Sequence, residues 1–365
     1  FWSMLRIRRK LVNITRNLKN NCCKKVDIDI ILTIKFLYAS SFQIVSYMAD
    51  TAERYPEIAT LVNGGRSFEG RPLFYMKFST TNFEDKSKPI IFIDGGIHAR
   101  EWLSPLAVTY VINKLTDGLT NPDLLKDFDW ILMPIVNPDG YVYSHTEDRF
   151  WRKTRSNDTH SLSDECPGVD GNRNYDFYWN SVGTSDSPCG YNYAGNRAFS
   201  ESETTVVKDL LHEHLARIAL YLTMHSYGSM ILYPWGNDGS LSHNAFALHT
   251  VGVAMADAIH KESLPNFPNY QVGNKMHVLG AGISGASDDY AHYIGVPIAF
   301  TIRLPGLMRG NDGYHLDPQY IEQVVRETWE AIAVTIGNMM ILLYNFIFHY
   351  LIIGFFCCYF DYRIW

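Results

Sequence analysis

The chain has 365 residues, 47% of them hydrophobic and 19% charged, with a formal charge of −6. That composition excludes a disordered segment, a collagen-like repeat and a small disulfide-stapled module, and the charge gives no general pull toward nucleic acid. The charge is unevenly spread: residues 1–40 hold nine Lys/Arg against two Asp, whereas the other 325 carry 23 basic and 36 acidic groups.

Residues 1–40 run through Arg8-Arg9-Lys10 and Cys22-Cys23-Lys24-Lys25 without a steady period, and read as a basic N-terminal extension, incomplete or non-native. A secretory leader needs its apolar run near the start; the nearest match, Ile28–Tyr38, is deep and broken by Lys35. Ser41–Tyr55 has helical spacing at Ile44, Tyr47 and Met48 and stops at Pro56. Short apolar, β-branched runs bounded by Gly, Pro or Asp predict strands at Leu73–Phe78, Ile90–Asp94, Trp130–Pro134, Ala219–Met224 and Ile298–Ile302. Helices are predicted at Pro105–Leu115, Glu201–Leu215 and Asn244–Glu262, and again from Pro318 onward. Ser200 and Glu203 have the spacing of a capping box at the start of the second of these. Alternating buried strands and helices predict a mostly parallel sheet covered on both faces. With no repeat and no low-complexity linker, residues 41–338 read as one domain. Residues 339–365 form an apolar tail. Its stretch Met339–Phe360 holds 22 residues without Asp, Glu, Lys or Arg, long enough to span a bilayer, so membrane contact is expected only if that tail is a real anchor.

The strand Ile90–Asp94 runs into Gly95-Gly96-Ile97-His98-Ala99-Arg100-Glu101-Trp102. His98 and Glu101, three residues apart, can offer one imidazole nitrogen and one carboxylate to a shared ion. A third ligand from elsewhere would leave a fourth position open, the arrangement of a catalytic zinc. An H-x-x-E pair alone also describes a solvated pair near a strand end. Its place after Gly-Gly at the end of a buried strand favours a site, because open sheets bind ligands at the carboxyl ends of their strands. His225, ending the strand Ala219–Met224, is the candidate third ligand. The competing cluster His212-Glu213-His214 reads as a solvated helix face.

Arg149, Arg152, Lys153 and Arg155 surround Phe150-Trp151, and Arg173 sits in Asp170-Gly171-Asn172-Arg173-Asn174. In an acidic domain this basic–aromatic mixture does not point to nucleic acid. A guanidinium fork matches a carboxylate, so two converging arginines would suit the anionic end of a substrate. Surface arginines paired with neighbouring acids are the plainer alternative.

The order Gly-Ile-His98-Ala-Arg-Glu101-Trp, Trp151-Arg-Lys-Thr-Arg155, Gly-Asn172-Arg173-Asn, His225-Ser-Tyr227 and Tyr233-Pro-Trp-Gly236 resembles the zinc metallocarboxypeptidases of the carboxypeptidase A/B type, from roughly Ser41 to Asn338. The resemblance implies a single α/β domain with a mixed, mostly parallel eight-stranded sheet flanked by helices. It also implies release of single C-terminal residues from peptides. One zinc ion (Zn2+) would sit on His98, Glu101 and His225. Arg152 would polarise the scissile carbonyl, Asn172 and Arg173 would hold the terminal carboxylate, and Arg100 and Tyr227 would line neighbouring subsites. Cys166 and Cys189 match the family's disulfide, which with the sequons at Asn13 and Asn157 favours an oxidising, extracellular compartment. The expected partners are peptide or protein C-termini, and the expected state is a monomer. Asp288 falls where basic-specific members carry an aspartate, implying preference for a C-terminal Lys or Arg. Alternatively, Asp288 caps the helix Asp289–Tyr293.

Two positions depart from the family's pattern. The general base is expected in a Thr-x-Glu-Leu context, but the chain reads Thr301-Ile302-Arg303-Leu304. A guanidinium stays protonated and cannot accept the proton. The tyrosine expected to close over the substrate is replaced by Ala281. Impaired turnover follows, and a non-catalytic site for peptide C-termini is the alternative. A more remote reading takes Gly280–Gly285 as G-x-G-x-x-G after an apolar strand, with Arg303 near a ribose 2′-phosphate. Asp288 and Asp289 at the phosphate's approach, and five motifs left unexplained, count against it.

Overall fold

The computed structural model describes residues 39–117, 122–157, 165–307 and 310–337. Chain contacts separate Phe1–Leu37 from Tyr38–Trp365, and all described residues belong to the second unit. The N-terminal extension, apart from Ala39 and Ser40, and the apolar tail lie outside the described residues. Among those described, no helix is long and apolar enough to cross a membrane.

Eight strands form one sheet: β1 Ala59–Arg66, β2 Pro72–Phe78, β3 Ile90–Gly95, β4 Asp129–Met133, β5 Ile218–Ser226, β6 Met230–Tyr233, β7 Gln271–Asn274 and β8 Ile298–Leu304. Their order is β1-β2-β4-β3-β5-β8-β6-β7. The centre, β4-β3-β5-β8, is parallel; β1, β2 and β6 join antiparallel to their inner neighbours, and β7 lies parallel to β6. The helices are α1 Ser41–Arg54, α2 Leu103–Thr116, α3 Pro122–Asp127, α4 Pro138–Thr146, α5 Ser202–His214, α6 Ala245–Glu262, α7 Lys275–Leu279 and α8 Ser287–Ile294. A last helical stretch covers residues 321–337.

Every residue of β3 and β4 is buried. Successive strand side chains point to opposite faces, so both faces of the sheet are covered. On one face Ile90, Phe92, Ile131, Met133 and Tyr221 pack with Val207, Leu210 and Leu211 of α5 and Tyr290 and Ala291 of α8. Truncating the fully buried Phe92 to Ala would cost about 3–5 kcal/mol. That rigidity matters for function, because β3, β5 and β8 are parallel neighbours and deliver their carboxyl ends to one place.

Three local expectations change. The helix expected at Glu201 starts at Ser202, and the Ser200–Glu203 box does not form. Asn174 replaces it, accepting from Glu201 N–H at 3.2 Å and Thr204 Oγ1 at 2.7 Å. A complete capping box closes α1 instead, from Ser40 and Gln43. Finally, Val278-Leu279 lies in helix α7, so the glycines that follow do not leave a strand. A Cβ at Gly285 would sit 2.3 Å from Arg173 O and one at Gly282 2.9 Å from Asn237 O, so these two glycines make room for protein backbone.

Candidate metal centre

β3 ends at Gly95, and Gly96 takes a left-handed turn (φ 69°) that only glycine makes freely. A Cβ at Gly96 would also stand 3.0 Å from Pro134 O. The turn carries His98 and Glu101 back over the strand ends, where His225 arrives from β5. His98 Nδ1 lies 2.8 Å from Glu101 Oε1 and 3.1 Å from His225 Nδ1, and His225 Nδ1 lies 3.0 Å from Glu101 Oε2. All three side chains are buried, and among the described residues they form a metal-capable group. Donors around a zinc with bonds of about 2.0–2.2 Å stand roughly 3.3 Å apart. Two imidazoles and a carboxylate at this spacing fit that ion.

The charges agree with the fit. Burial opposes ionisation of Glu101, but the two histidines outweigh it and hold the carboxyl well below its usual range. Burial drives His225 down to about 4 against the pull of Glu101, leaving the neutral imidazole that a metal requires. Ser226 N–H donates to Glu101 Oε2 at 3.0 Å. Asp170 Oδ1 lies 3.1 Å from His98 Nε2, the outer carboxylate that orients a ligating histidine. In the sequence Asp170 stands out only as part of the Asp170–Asn174 motif. The one hint of its role was its place two residues before Asn172.

Arg152, buried, gives Nε and Nη2 to Asp170 Oδ2 at 3.0 and 2.8 Å and brings Nη1 to 3.9 Å from Glu101 Oε1. Arg173 donates Nε to Gly183 O and Nη1 to Asn172 O, at 2.9 and 2.8 Å. Asn172 Nδ2 lies 3.5 Å from His225 Nε2. Arg303 pairs with His225 across β5 and β8, and its buried Nε has no hydrogen-bond partner among the described residues. Burial lowers the Arg303 pKa, Glu101 raises it and Arg152 lowers it. These four therefore gather around the triad. Arg100 and Tyr227 instead meet through Tyr314: the guanidinium is 4.5 Å from its ring, and the two tyrosine rings are 5.0 Å apart. No local pattern in the sequence marks Tyr314. Arg149 and Arg155 are structural, stacked on Trp102 at 3.6 Å and Tyr143 at 3.9 Å.

Asp288 is fully buried in the first turn of α8 but caps nothing; the N-cap is Ala286, without a side-chain bond. Its Oδ1 accepts from Lys275 Nζ, so the carboxylate is paired neither with Arg303 nor with open solvent. His212 meets Tyr290 Oη at 2.8 Å, and His214 is buried with its ring 5.7 Å from that of Phe83. The expected fully solvated His212–His214 face is thus only partly so, because the helix packs that edge on neighbouring aromatic rings. Ala281 is exposed in the loop after α7. Cys166 and Cys189 form the expected disulfide.

A family model for zinc carboxypeptidases matches residues 44–331. Carboxypeptidase B of Helicoverpa zea is 66% identical over 288 residues, 79% of this chain and 67% of that protein. Carboxypeptidase B of Astacus astacus is 40% identical over 294 residues, 80% of this chain and 93% of that protein. The crystal structure of carboxypeptidase A from Helicoverpa armigera matches with a TM-score of 0.78 at 42% identity, over 82% of this chain and 73% of that one. Bovine thrombin-activatable fibrinolysis inhibitor, in complex with tick carboxypeptidase inhibitor, matches at 0.76 and 32%, over 83% and 97%. With likeness on this scale and His98, Glu101 and His225 intact at the sheet's end, the chain belongs to the zinc carboxypeptidase family and is similar to its carboxypeptidase B members.

Proposed function

We propose that the chain binds the free C-terminal end of a peptide beside one zinc ion and releases the last residue slowly, outside the cell. The observation that carries the reading is the buried His98–Glu101–His225 set with Arg152, Asn172 and Arg173 beside it. A zinc ion held there would act as a Lewis acid on the scissile carbonyl and acidify water.

The chain's own groups do the rest. Arg152 Nη1, not used by Asp170, is the donor for charge developing on the carbonyl oxygen. Asn172 Nδ2 and Arg173 Nη2 are the donors for the terminal carboxylate; the other Arg173 donors are bound to Gly183 O and Asn172 O. Arg100 and Tyr227 border the approach. Arg303 stands where a base is needed and stays cationic, so water is not deprotonated from that side. Loss of a positioned base costs roughly 10²–10⁴ in rate. Ala281 offers no hydroxyl to close over the end. Asp288 is the acid on which preference for a C-terminal Lys or Arg would rest, and Lys275 stands against it. The disulfide and the exposed sequon residue Asn157 support an oxidising compartment.

A wholly non-catalytic peptide-end site is the second reading. It is favoured by the unpartnered Arg303 Nε, a donor suited to a ligand carboxylate. Both readings require a free end. Zinc-loaded full-length chain should bind a peptide with a free C-terminus at least roughly tenfold tighter than the same peptide amidated. Equal binding of the two overturns the proposal.

A further inference from the structure

Lys275 opens α7 directly after β7, and its side chain is 2% exposed. Its stem lies over Gly236, where a Cβ would stand 2.6 Å from Lys275 Cδ. Glycine at 236 is thus what admits a long side chain at 275. The ammonium pairs with Asp288 Oδ1 and lies 3.1 Å from Asp289 Oδ2. Both Asp289 oxygens also face Gly236 N–H at 3.2 Å. The cluster is close to the metal centre: Asn172 Oδ1 accepts from Ser287 N–H at 3.0 Å, and Asn172 Nδ2 faces His225. Two buried polar atoms, Asp288 Oδ2 on this cluster and Thr301 Oγ1 on β8, have no hydrogen-bond partner among the described residues. Thr301 lies on β8 two residues before Arg303 and pairs with Thr223, two before His225. Acceptors left open between a metal triad and an internal ion pair are what a bound side chain would meet.

We infer that Lys275 is a built-in counter-ion for Asp288, and that it converts a pocket suited to a C-terminal Lys or Arg into one that takes an uncharged side chain. This rests on the peptide-end reading and deepens it. An incoming ammonium or guanidinium must share Asp288 with a cation already seated there, and like charges side by side in a buried site oppose binding. A neutral side chain meets no such opposition, and one that carries an amide or hydroxyl can also donate to Asp288 Oδ2 or Thr301 Oγ1. Asp289 shares the same ammonium through its Oδ2, while burial pushes its pKa up to about 7.

The test uses zinc-loaded full-length chain and calorimetric titration with three peptides, identical except for a C-terminal Leu, Gln or Lys. In the wild type, the Leu and Gln peptides should bind at least as tightly as the Lys peptide. Lys275→Met should move the Lys/Leu affinity ratio toward Lys by roughly 30–100-fold, and adding Asp288→Asn should remove that gain. Tenfold or greater preference of the wild type for the Lys peptide overturns the inference without any variant, so it survives as a test even if Lys275→Met does not fold. An unchanged ratio in a folded Lys275→Met overturns it too. If no peptide binds the wild type, the peptide-end reading fails and this one with it, an outcome distinct from binding with the wrong preference.

Discussion

The metal end of the site and the segment from β7 to α8 both bury carboxylates beside the same sheet, yet they settle the charge in opposite ways. Glu101 is ringed by two histidines, a backbone N–H and a distant arginine, a surrounding that keeps it anionic and leaves room for a cation. Asp288 has its cation already, covalently part of the chain. Arg303, paired in register with His225 on the neighbouring strand, adds positive charge where the family's pattern leads one to expect negative. A buried acid is therefore informative only together with what the fold sets beside it.

The largest test of this contrast is Arg303→Glu. It replaces a fixed cation next to His225 with an acceptor and should raise the rate of single-residue release by roughly 10²–10⁴-fold. The comparison is made at equal zinc content on a peptide ending in an uncharged residue. A variant no faster than wild type would mean that position 303 does not face the reacting water. The next effect is smaller. Asp170→Asn should keep the fold but weaken zinc retention by roughly 10–100-fold in competition with a chelator, because His98 loses its oriented acceptor. Unchanged retention would remove Asp170 from the metal's support.

Glu203 supplies the scale for both regions, being a buried carboxyl with neither metal nor ammonium beside it. Burial first, and then the Glu201 charge, push its pKa up to about 8, and its Oε1 has no hydrogen-bond partner among the described residues. The unfolded chain loses this proton near pH 4.5 while the folded one keeps it to about 8, so stability drains away as pH rises across that window. Glu203→Gln should leave the urea midpoint nearly unchanged at pH 5 and stabilise the protein by about 1–3 kcal/mol at pH 8. No gain at pH 8 would show that the carboxyl finds a partner or solvent there.

The sequence disclosed those parts whose cause is local. β3, β4, β5 and β8 are buried on both faces, so they appear as unbroken apolar runs, and each predicted ligand sits at or just past the end of one. Edges and partners were hidden. β1 carries Asn63-Gly64-Gly65, and β6 and β7 have four residues each, too polar or too short to show a period. Residues 275–279 form a helical turn although Val278-Leu279 before glycine resembled a strand end, because Asn274 caps them through His277 N–H. The Ser200–Glu203 spacing was genuine but lost to Asn174, a residue 26 positions upstream of Ser200. Asp170, Lys275 and Tyr314 escaped notice for the same reason: each owes its role to neighbours brought by the fold, and none to its own surroundings in the chain.

Asp170 divides its two oxygens between the metal's side and the substrate's side, Oδ1 toward His98 and Oδ2 toward Arg152. A ligand that takes up Arg152 Nη1 would therefore bear on the same carboxylate that positions His98. Were a peptide end and a zinc ion both held as proposed, each would change the other's affinity by the same factor.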